Sequence, residues 1–313
     1  LRRLEERDVR ADQLLARAGP GLVEPLLVDR LVGGVVEHGA RHDKRVRRRA
    51  EAWIGSVELV TRAAGWAAER TVPTALRAPL YRAFANAVGA NLAEAADPLD
   101  SFPRFNAFFT RELKPDARPW SAPPTHWAMP ADGRLSEHGR VTSGRMLQVK
   151  GIDYPVQHLL GVDDPAPWEG ARYATVYLSP ADYHRVHNPA AVVVTSVRRL
   201  GGELWPVNRL SASNIPELYV RNERSVTLVR DARGRQGAIV MVGATVVGGI
   251  ELAAESPDTQ PSGGFAAGSE HGRFLLGSTV VLVLQDREHP LDDTTLRAGD
   301  PVRLGQPLWP ERS

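Results

Sequence analysis

Five short runs rich in β-branched residues, separated by glycine and proline, dominate the chain from about residue 131 onward. They span residues 174–178, 191–197, 225–229, 238–247 and 279–284. Such runs are typical of β-strands, because branched side chains pack well on a pleated sheet and Gly and Pro interrupt the segments between them. We therefore expect this part of the chain to form a β-rich body.

The region before residue 131 has a helical pattern instead. Between residues 50 and 94, apolar side chains recur about once per turn, at Leu76, Leu80, Phe84, Val88 and Leu92. A stripe of this kind faces a core more often than a membrane, so we expect most of it to be buried. The predicted fold class is α+β, with a helical N-terminal part over residues 50–130 and a β-rich, barrel-like catalytic body over residues 131–313.

The last of the β-branched runs begins directly after Gly277 and Ser278. The hydroxyl of Ser278 can attack the carbonyl carbon of Gly277, and the conformational freedom of glycine allows the bent peptide that such an attack needs. The chain can then cut itself at this junction. The alternative is a plain Gly-Ser turn that opens a buried strand.

Two further segments carry residues that can activate a serine. Residues 178–189, Leu-Ser-Pro-Ala-Asp-Tyr-His-Arg-Val-His-Asn-Pro, contain His184 and His187, and an imidazole titrates at ~6.5, where a general base is useful. Asp132 lies in an Asp-Gly turn, and a carboxylate can orient the histidine of an Asp-His-Ser relay. Taken singly, the histidines also fit a metal pair or a surface turn, and Asp-Gly is a common turn dipeptide.

Together these segments resemble the phosphatidylserine decarboxylases, pyruvoyl enzymes of bacterial membrane-lipid synthesis. The resemblance runs from about residue 71 to residue 307, and eight landmarks in one order are more specific than any single motif. They are Phe-Asn-Ala-Phe-Phe-Thr-Arg-Glu-Leu-Lys-Pro at 105–115, Pro-Ala-Asp-Gly at 130–133, Gln-Val-Lys-Gly at 148–151, the histidine segment at 178–187, Gly-Glu-Leu-Trp-Pro-Val-Asn at 202–208, Asn-Ile-Pro-Glu-Leu-Tyr-Val-Arg-Asn-Glu-Arg at 214–224, Val-Gly-Ala-Thr-Val-Val-Gly at 242–248 and Leu-Gly-Ser-Thr at 276–279.

The resemblance implies a carboxy-lyase that converts phosphatidylserine to phosphatidylethanolamine and CO2 and that matures by cleaving itself between Gly277 and Ser278. His187, oriented by Asp132, would deprotonate Ser278, and a pyruvoyl group derived from Ser278 would serve as the covalent cofactor. Its ketone would form a Schiff base with the amine of the substrate. His184 is the candidate for the proton transfer that follows loss of CO2, and no metal is assigned to the site.

The resemblance further implies that the β chain ending at Gly277 and the α chain that follows it stay associated, and it leaves open whether two copies form a homodimer. Residues 214–224 are expected either to border the site or to form a structural loop with Arg221 and Arg224 solvated. Lys150 and Gly151 are open to the same two interpretations. Residues 1–49 lie outside the resemblance, and we expect them to be a disordered extension or sequence upstream of the true start.

Three other functions fit parts of the pattern. Pyruvoyl enzymes similar to these decarboxylases act on soluble amino acids, and no residue identified here selects a lipid. A Ser-His-Asp lipid hydrolase would present its serine on a Gly-x-Ser-x-Gly elbow, which residues 276–280 do not form. A biotinyl or lipoyl carrier is suggested by residues 297–308, but such a carrier needs a modifiable lysine and none follows Lys150.

The sequence predicts a peripheral enzyme at the cytoplasmic face of the cell membrane. The best candidate for a spanning segment, residues 237–250, contains glycines and is shorter than the ~20 apolar residues that a helix needs. A net charge of +2 does not favour nucleic-acid binding, and the absence of cysteine excludes disulfides and thiol catalysis. The side chains expected to dock on the membrane are Trp53, Trp66, Leu80, Tyr81 and Phe84, with Arg70, Arg77 and Arg82 beside them.

Overall fold

The computed structural model describes residues 65–149, 151–244, 249–255, 264–275, 278–286 and 296–309. These residues form an α+β fold with a sheet-rich body and few helices, as the sequence predicts. The described helices are α1 (Thr74–Val88), α2 (Phe105–Phe109), α3 (Val156–Leu160), α4 (Arg209–Asn214) and α5 (Leu218–Arg221). The described strands are β1 (Gly133–Arg140), β2 (Arg145–Val149), β3 (Ile152–Pro155), β4 (Arg172–Leu178), β5 (Arg185–His187), β6 (Val192–Leu200), β7 (Arg224–Asp231), β8 (Gln236–Val242), β9 (Ile250–Leu252), β10 (Glu270–Phe274), β11 (Ser278–Leu284) and β12 (Pro301–Val302).

Seven strands form one antiparallel sheet in the order β12-β1-β4-β11-β8-β7-β6. The five predicted strand runs are confirmed as β4, β6, β7, β8 and β11, the fourth as far as Val242. The barrel-like closure is not found in the described residues, because β12 and β6 remain as two separate edges of an open sheet. Strand β12 has only two residues, and its Pro301 lacks the amide hydrogen that further pairing would need.

The central strand β11 is buried on both faces of this sheet, because a separate layer covers each face. Val281 and Val283 belong to the core on the side of the β2–β3 hairpin and helices α3 and α5. Val280 and Leu282 belong to the core on the side of a small three-stranded sheet with the order β5-β10-β9. A strand enclosed in this way has an almost continuous apolar sequence, as β11 does.

Aromatic side chains hold the N-terminal helices together. Tyr81 of α1 stacks on Phe108 of α2 with 4.5 Å between the ring centroids, and Phe84 meets Phe105 edge-on at 4.8 Å. Aromatic pairs of this kind contribute ~0.5–1.5 kcal/mol beyond the burial of their area. Helix α1 ends at Gly89, whose φ of 80° lies in the left-handed region that favours glycine.

The apolar stripe of α1 does not face a core as a whole. The buried residues of this helix are Tyr81 and Ala85, whereas Leu76 and Leu80 are 58% and 46% exposed. The expectation of burial is therefore wrong for these two leucines in the described structure. The expectation that Tyr81 docks on the membrane is also wrong, because its side chain is fully buried against Phe108. The reason is rotational, since consecutive residues of a helix differ by about 100° and α2 covers the face of Tyr81. Residues 50–64 of the predicted helical region lie outside the described residues.

Candidate active site

Strands that carry predicted site residues meet at one end of the large sheet. Strand β1 begins just after Asp132, β4 ends at Leu178 and β11 begins at Ser278. Arg134 pairs with Tyr177 across β1 and β4, and Ser278 pairs with Leu178 across β11 and β4. Because these neighbours are antiparallel, the starts of β1 and β11 lie on either side of the end of β4. Their backbones are two strand spacings apart, which is about 10 Å.

Gly133 allows the close approach of β1 to β4 beside Asp132. Its φ is 156°, and a Cβ atom at this position would lie 2.3 Å from the carbonyl oxygen of Tyr177. Any other residue would push the two strands apart and displace the aspartate that precedes it. The glycine of the Asp-Gly pair thus has a structural role in positioning the site.

The two histidines lie on the segment that leaves β4 and forms β5. The amide of Phe274 in β10 donates to the carbonyl of His184 at 3.0 Å. The amide of His187 donates to the carbonyl of Pro130 at 2.8 Å, two residues before Asp132. These backbone contacts bring the aspartate, both histidines and the approach to β11 to the same end of the sheet, as the predicted relay requires.

Alternation along β11 places the side chain of Ser278 on the face covered by the small sheet. Val280 and Leu282 share a core with Val186 of β5 and Phe274 of β10, and residues i and i+2 of a strand lie on the same face. The Oγ of Ser278 is buried and has no hydrogen-bond partner among the described residues. This hydroxyl is therefore not engaged in a structural hydrogen bond within the described residues and is available for chemistry.

The tautomer of His187 follows from its hydrogen bonds. Its Nδ1 lies 2.8 Å from the carbonyl oxygen of Gly268, which can only accept, so Nδ1 carries the hydrogen. Its Nε2 therefore has a lone pair and accepts a hydrogen bond from the hydroxyl of Tyr183 at 3.1 Å. Burial lowers the pKa of His187, while the Gly268 carbonyl and the charges of Glu270 and Asp132 raise it. The result is a neutral imidazole with its basic nitrogen at Nε2.

His184 is wholly buried and keeps one ring nitrogen without a partner. Its Nδ1 donates to the backbone carbonyl of Asp182 at 2.8 Å, and its ring lies 4.1 Å from that of Phe109 between centroids. Its Nε2 is buried and makes no hydrogen bond within the described residues. Burial lowers the pKa of His184 to about 3, so this ring is neutral near pH 7.

The carboxylate of Asp132 is held by an arginine. Arg118 places Nε at 2.9 and 2.8 Å from the two carboxylate oxygens and Nη2 at 2.6 Å from Oδ2, and the amide of Leu304 donates to Oδ1 at 3.0 Å. Arg118 also pairs with Glu94 at 2.7 Å. Both ring nitrogens of His187 are engaged elsewhere, so its predicted orientation by Asp132 is not a direct hydrogen bond in this structure, and the role of Asp132 stays a prediction.

Two predicted positions, Gly277 and Lys150, lie outside the described residues. The segment 214–224 contains helix α5, and the expectation that its Arg224 is solvated is wrong. That arginine is buried and donates to carbonyls of helix α3 at 2.9 and 2.6 Å, which makes it a structural residue. Arg221 is at the surface and pairs with Glu203 at 2.8 Å.

The sequence matches the family model for phosphatidylserine decarboxylase over residues 105–309. The chain belongs to the phosphatidylserine decarboxylase family. It is 42% identical over 268 residues to the phosphatidylserine decarboxylase proenzyme of Azotobacter vinelandii, a match that covers 80% of this chain and 93% of the relative. The proenzymes of Anaeromyxobacter sp. (strain K) and Pseudomonas aeruginosa are 40% and 39% identical over 264 and 268 residues, covering 80% of this chain and 93% and 92% of the relatives. The family resemblance inferred from the sequence landmarks is thus confirmed.

Sequence reasoning missed two groups that hold the site of this decarboxylase-family chain. Arg118 binds Asp132. The sequence carries a signal for it, because it stands three residues after the landmark that ends at Pro115. The carbonyl of Gly268, which fixes the tautomer of His187, belongs to the backbone. No residue type signals a backbone acceptor, so only the fold reveals it.

A third histidine near the site was also missed. His271 lies at the bulge where the register of β10 against β5 shifts, seven residues before Ser278. Its Nδ1 is 3.1 Å from Oδ1 of Asn188, the residue after His187, and its Nε2 is buried without a hydrogen-bond partner among the described residues. Burial, followed by the charge of His187, lowers the pKa of His271 to about 4. This ring ties the strand before the serine to the segment that carries His187.

A cavity of about 880 Å³ lies against the loop that carries Gly268. Its two arginines are paired within its own lining, Arg199 with Glu255 and Arg273 with Glu270. Among the described residues, no lining arginine of this cavity is therefore unpaired and ready to bind an anionic headgroup.

Proposed function

We propose that this chain is a phosphatidylserine decarboxylase proenzyme that cuts itself between Gly277 and Ser278 and then converts phosphatidylserine to phosphatidylethanolamine and CO2. The relatives at 39–42% identity are named as such proenzymes, which supports neither the hydrolase nor the decarboxylase of soluble amino acids. The proposal is carried by the Ser278 hydroxyl, which is buried without a hydrogen-bond partner in the described residues, at the end of the sheet where the backbones of His184 and His187 are also held.

Self-cleavage begins with transfer of the Oγ proton of Ser278 to Nε2 of His187. Oγ bonds to the carbonyl carbon of Gly277, the peptide C–N bond breaks as an ester forms, and the imidazolium returns its proton to the freed nitrogen. Nε2 has the lone pair that this step needs once the hydroxyl of Tyr183 turns away. A base then removes the α-proton of residue 278, the Cβ–Oγ bond breaks, and Gly277 leaves as a carboxylate. The dehydroalanine that remains takes up a proton at Cβ to become an imine, and water hydrolyses this imine to release ammonia and leave a pyruvoyl group at position 278.

The residues around position 278 fit such a group. The position is buried, it opens β11 opposite Leu178, and Oγ, which leaves with Gly277, makes no hydrogen bond in the described structure that its departure would break. A pyruvoyl group supplies an electron sink for the carbanion left by CO2. The contribution of the chain is His184, whose Nε2 has no partner among the described residues and can pass a proton from the ammonium of the substrate to the carbon that CO2 leaves. Burial lowers the pKa of this ring to about 3, so the transfer requires the anionic substrate beside it to raise that pKa.

The arrangement of the large sheet favours lasting association of the two chains. Strand β11 belongs to the fragment that starts at Ser278, whereas both of its neighbours, β4 and β8, belong to the other fragment. All seven residues of β11 are buried. Separation would expose this strand and break two ladders of backbone hydrogen bonds, so we expect the fragments to purify together.

We infer that Asp132 acts on His187 through its charge, since the amide of His187 is bound to Pro130, two residues before the aspartate, while no hydrogen bond joins the two side chains. Asp132→Asn should slow self-cleavage. Loss of one partner from a buried ion pair costs about 3–5 kcal/mol, so stability must be measured beside the rate. Arg118→Gln is the matched control, because it breaks the same pair and keeps the carboxylate. Equal cleavage rates in two equally destabilised variants would assign Asp132 a purely structural role.

We also propose that the enzyme works as a peripheral protein on the cytoplasmic face of the cell membrane. Among the described residues no helix is long and apolar enough to cross a bilayer. Trp66, Leu76 and Leu80 are 62%, 58% and 46% exposed, which suits insertion into the headgroup region. Leu76→Glu with Leu80→Glu should weaken sedimentation with anionic liposomes and leave self-cleavage intact. Val193→Glu, at another exposed apolar position, is the control, and equal binding by both variants would reject the docking surface.

The direct test of the proposed function is an intact-mass spectrum of the purified protein together with CO2 release from phosphatidylserine. We expect two chains, the smaller one beginning with a pyruvoyl cap at position 278, and CO2 from the lipid at a far higher rate than from free serine. A fully active single chain would reject self-cleavage at this position. A cleaved protein that acts only on soluble amino acids would reject the lipid substrate.

A further inference from the structure

Arg111 is a buried cation that forms no ion pair within the described residues, since the carboxylate of Glu94 acts on it only at a distance and is itself paired with Arg118. Its side chain lies over the ring of Phe108 at 5.3 Å, and the residue is only 5% exposed. In the described part of the chain its guanidinium makes no hydrogen bond or ion pair, and its Nε is buried without an acceptor. Burial lowers the pKa of Arg111, yet arginine remains protonated in proteins, so the charge persists.

The other buried arginines of the described residues have partners. Arg172 lies 3.9 Å from the carboxylate of Asp286 and over the ring of Trp309, and Arg224 donates to backbone carbonyls. Burying a charge without a partner is costly, because no protein group replaces the water it loses. The exception at Arg111 therefore points to an anion that binds there in the working enzyme.

The backbone places Arg111 beside the proposed site. Two residues earlier, Phe109 packs its ring against that of His184 at 4.1 Å. The carbonyl of Thr110 accepts a hydrogen bond from Nε of Arg185 at 2.8 Å, so this segment is fixed against β5. The charge of Arg111 contributes to lowering the pKa of His184, which is consistent with this proximity.

We propose that Arg111 binds the phosphodiester of the lipid substrate while the serine amine reaches position 278. This inference rests on the function proposed above. The substrate carries two anions, a phosphodiester and a carboxylate. An arginine on the carboxylate would stabilise the charge that the reaction removes and so oppose catalysis. The phosphodiester persists through the reaction, and the planar guanidinium matches two of its oxygens at once.

The first experiment compares the wild type with Arg111→Met, which keeps an apolar stem of similar length. For a short-chain phosphatidylserine we expect KM to rise about ten- to a hundredfold with kcat nearly unchanged, because charge-assisted hydrogen bonds to the bound lipid are lost. Self-cleavage should proceed. The Tm without ligand should stay equal or rise, since an unpaired buried charge is removed. Arg104→Gln, an exposed arginine of the same segment paired with Glu69, should change none of these values.

A second measurement identifies the anion. Dihexanoyl phosphatidylethanolamine has the phosphodiester and the amine but lacks the carboxylate. Its dissociation constant, measured by calorimetry on the cleaved protein, should weaken in Arg111→Met by the same factor as KM. An unchanged dissociation constant with a raised KM would move Arg111 to the carboxylate and overturn the proposal. A lower Tm with unchanged KM and binding would make Arg111 a structural residue.

The calorimetric measurement also separates this inference from the proposed function. If the cleaved wild type binds the diester through Arg111 but releases no CO2 from phosphatidylserine, the decarboxylase function fails and the anion site stands. Should Arg111→Met not fold, Arg111→Lys keeps the charge and loses the planar fork. A binding constant for this variant equal to that of the wild type would contradict the paired contact with two oxygens.

Discussion

His184, just before β5, and His187, at its end, are three residues apart, yet their surroundings differ more than this spacing suggests. His187 is fully bonded, with the Gly268 carbonyl on one nitrogen and the Tyr183 hydroxyl on the other. His184 is bonded on one nitrogen only, and in the described structure its Nε2 has no partner. A ring fixed by two hydrogen bonds suits self-cleavage, because its Nε2 must face the hydroxyl of one serine in one orientation. A ring whose Nε2 has no partner among the described residues is open to incoming substrate, whose negative charge would raise the pKa that burial lowers to about 3.

The largest effect that tests this comparison is expected for His187→Ala. Without Nε2 the hydroxyl of Ser278 has no base, so the precursor should stay uncut, with a cleavage rate at least ~10³-fold below that of the wild type. Gel electrophoresis and intact mass after expression measure this. Ser278→Ala is the matched control and should give the same uncut chain. Normal cleavage of the His187 variant would move the base to another group.

His184→Ala should separate self-cleavage from decarboxylation, and so the role of His187 from that of His184. We expect a protein that is cut normally but releases CO2 about 10²–10⁴-fold more slowly, the range typical of a lost general acid–base residue. Cleavage is read from the mass spectrum and turnover from CO2 release by the same preparation. A variant that stays uncut would show that His184 takes part in maturation, and would contradict the assignment of self-cleavage to His187 alone.

The pH dependence of stability should distinguish the same two rings. Their pKa values in the folded protein lie below the ordinary value of ~6.5, and that of His184 falls to about 3. The unfolded chain therefore binds more protons, so the stability these rings contribute is complete above pH ~6.5 and is lost as pH falls toward their folded pKa values. In a Ser278→Ala background, His184→Gln should flatten the decrease in Tm between pH 6.5 and 4.5 more than His187→Gln does. Identical slopes would contradict the difference in burial.

The smallest effect is expected for Tyr183→Phe. This change removes the hydroxyl that occupies Nε2 of His187. One neutral hydrogen bond contributes ~0.5–1.5 kcal/mol, so freeing the lone pair should accelerate cleavage by at most about tenfold. The rate can be followed after in vitro translation. Slower cleavage in the variant would mean that the hydroxyl helps the reaction, and that His187 needs both of its partners.

The sequence predicted the residues of the site better than the contacts among them. Ser278 was recognised because a glycine and a β-branched run flank it, and both features are local. The strands were predictable for the same reason, since alternation and β-branched content are properties of short windows. The orientation of His187 was not predictable, because the group that fixes it is the carbonyl of Gly268, 81 residues away in the chain.

The tertiary structure also decided which charges and apolar groups are buried. Arg118 and Arg111 stand only seven residues apart, yet Arg118 pairs with two carboxylates and Arg111 has no hydrogen bond or ion pair among the described residues. Leu76 and Leu80 fit a core-facing stripe by spacing, but the position of α2 leaves them exposed. Such outcomes depend on which distant segments meet.

By itself the sequence determined the α+β class, the five strands, the family and the residue types available for chemistry, because each depends on local pattern or on ordered landmarks. Only the tertiary structure decided that, within the described residues, the large sheet is open, Asp132 is bound to Arg118 and Nε2 of His184 lacks a partner beside Phe109. The physical reason is that burial and hydrogen bonding are properties of pairs of segments. Their strength is set by distances that no single stretch of the chain contains.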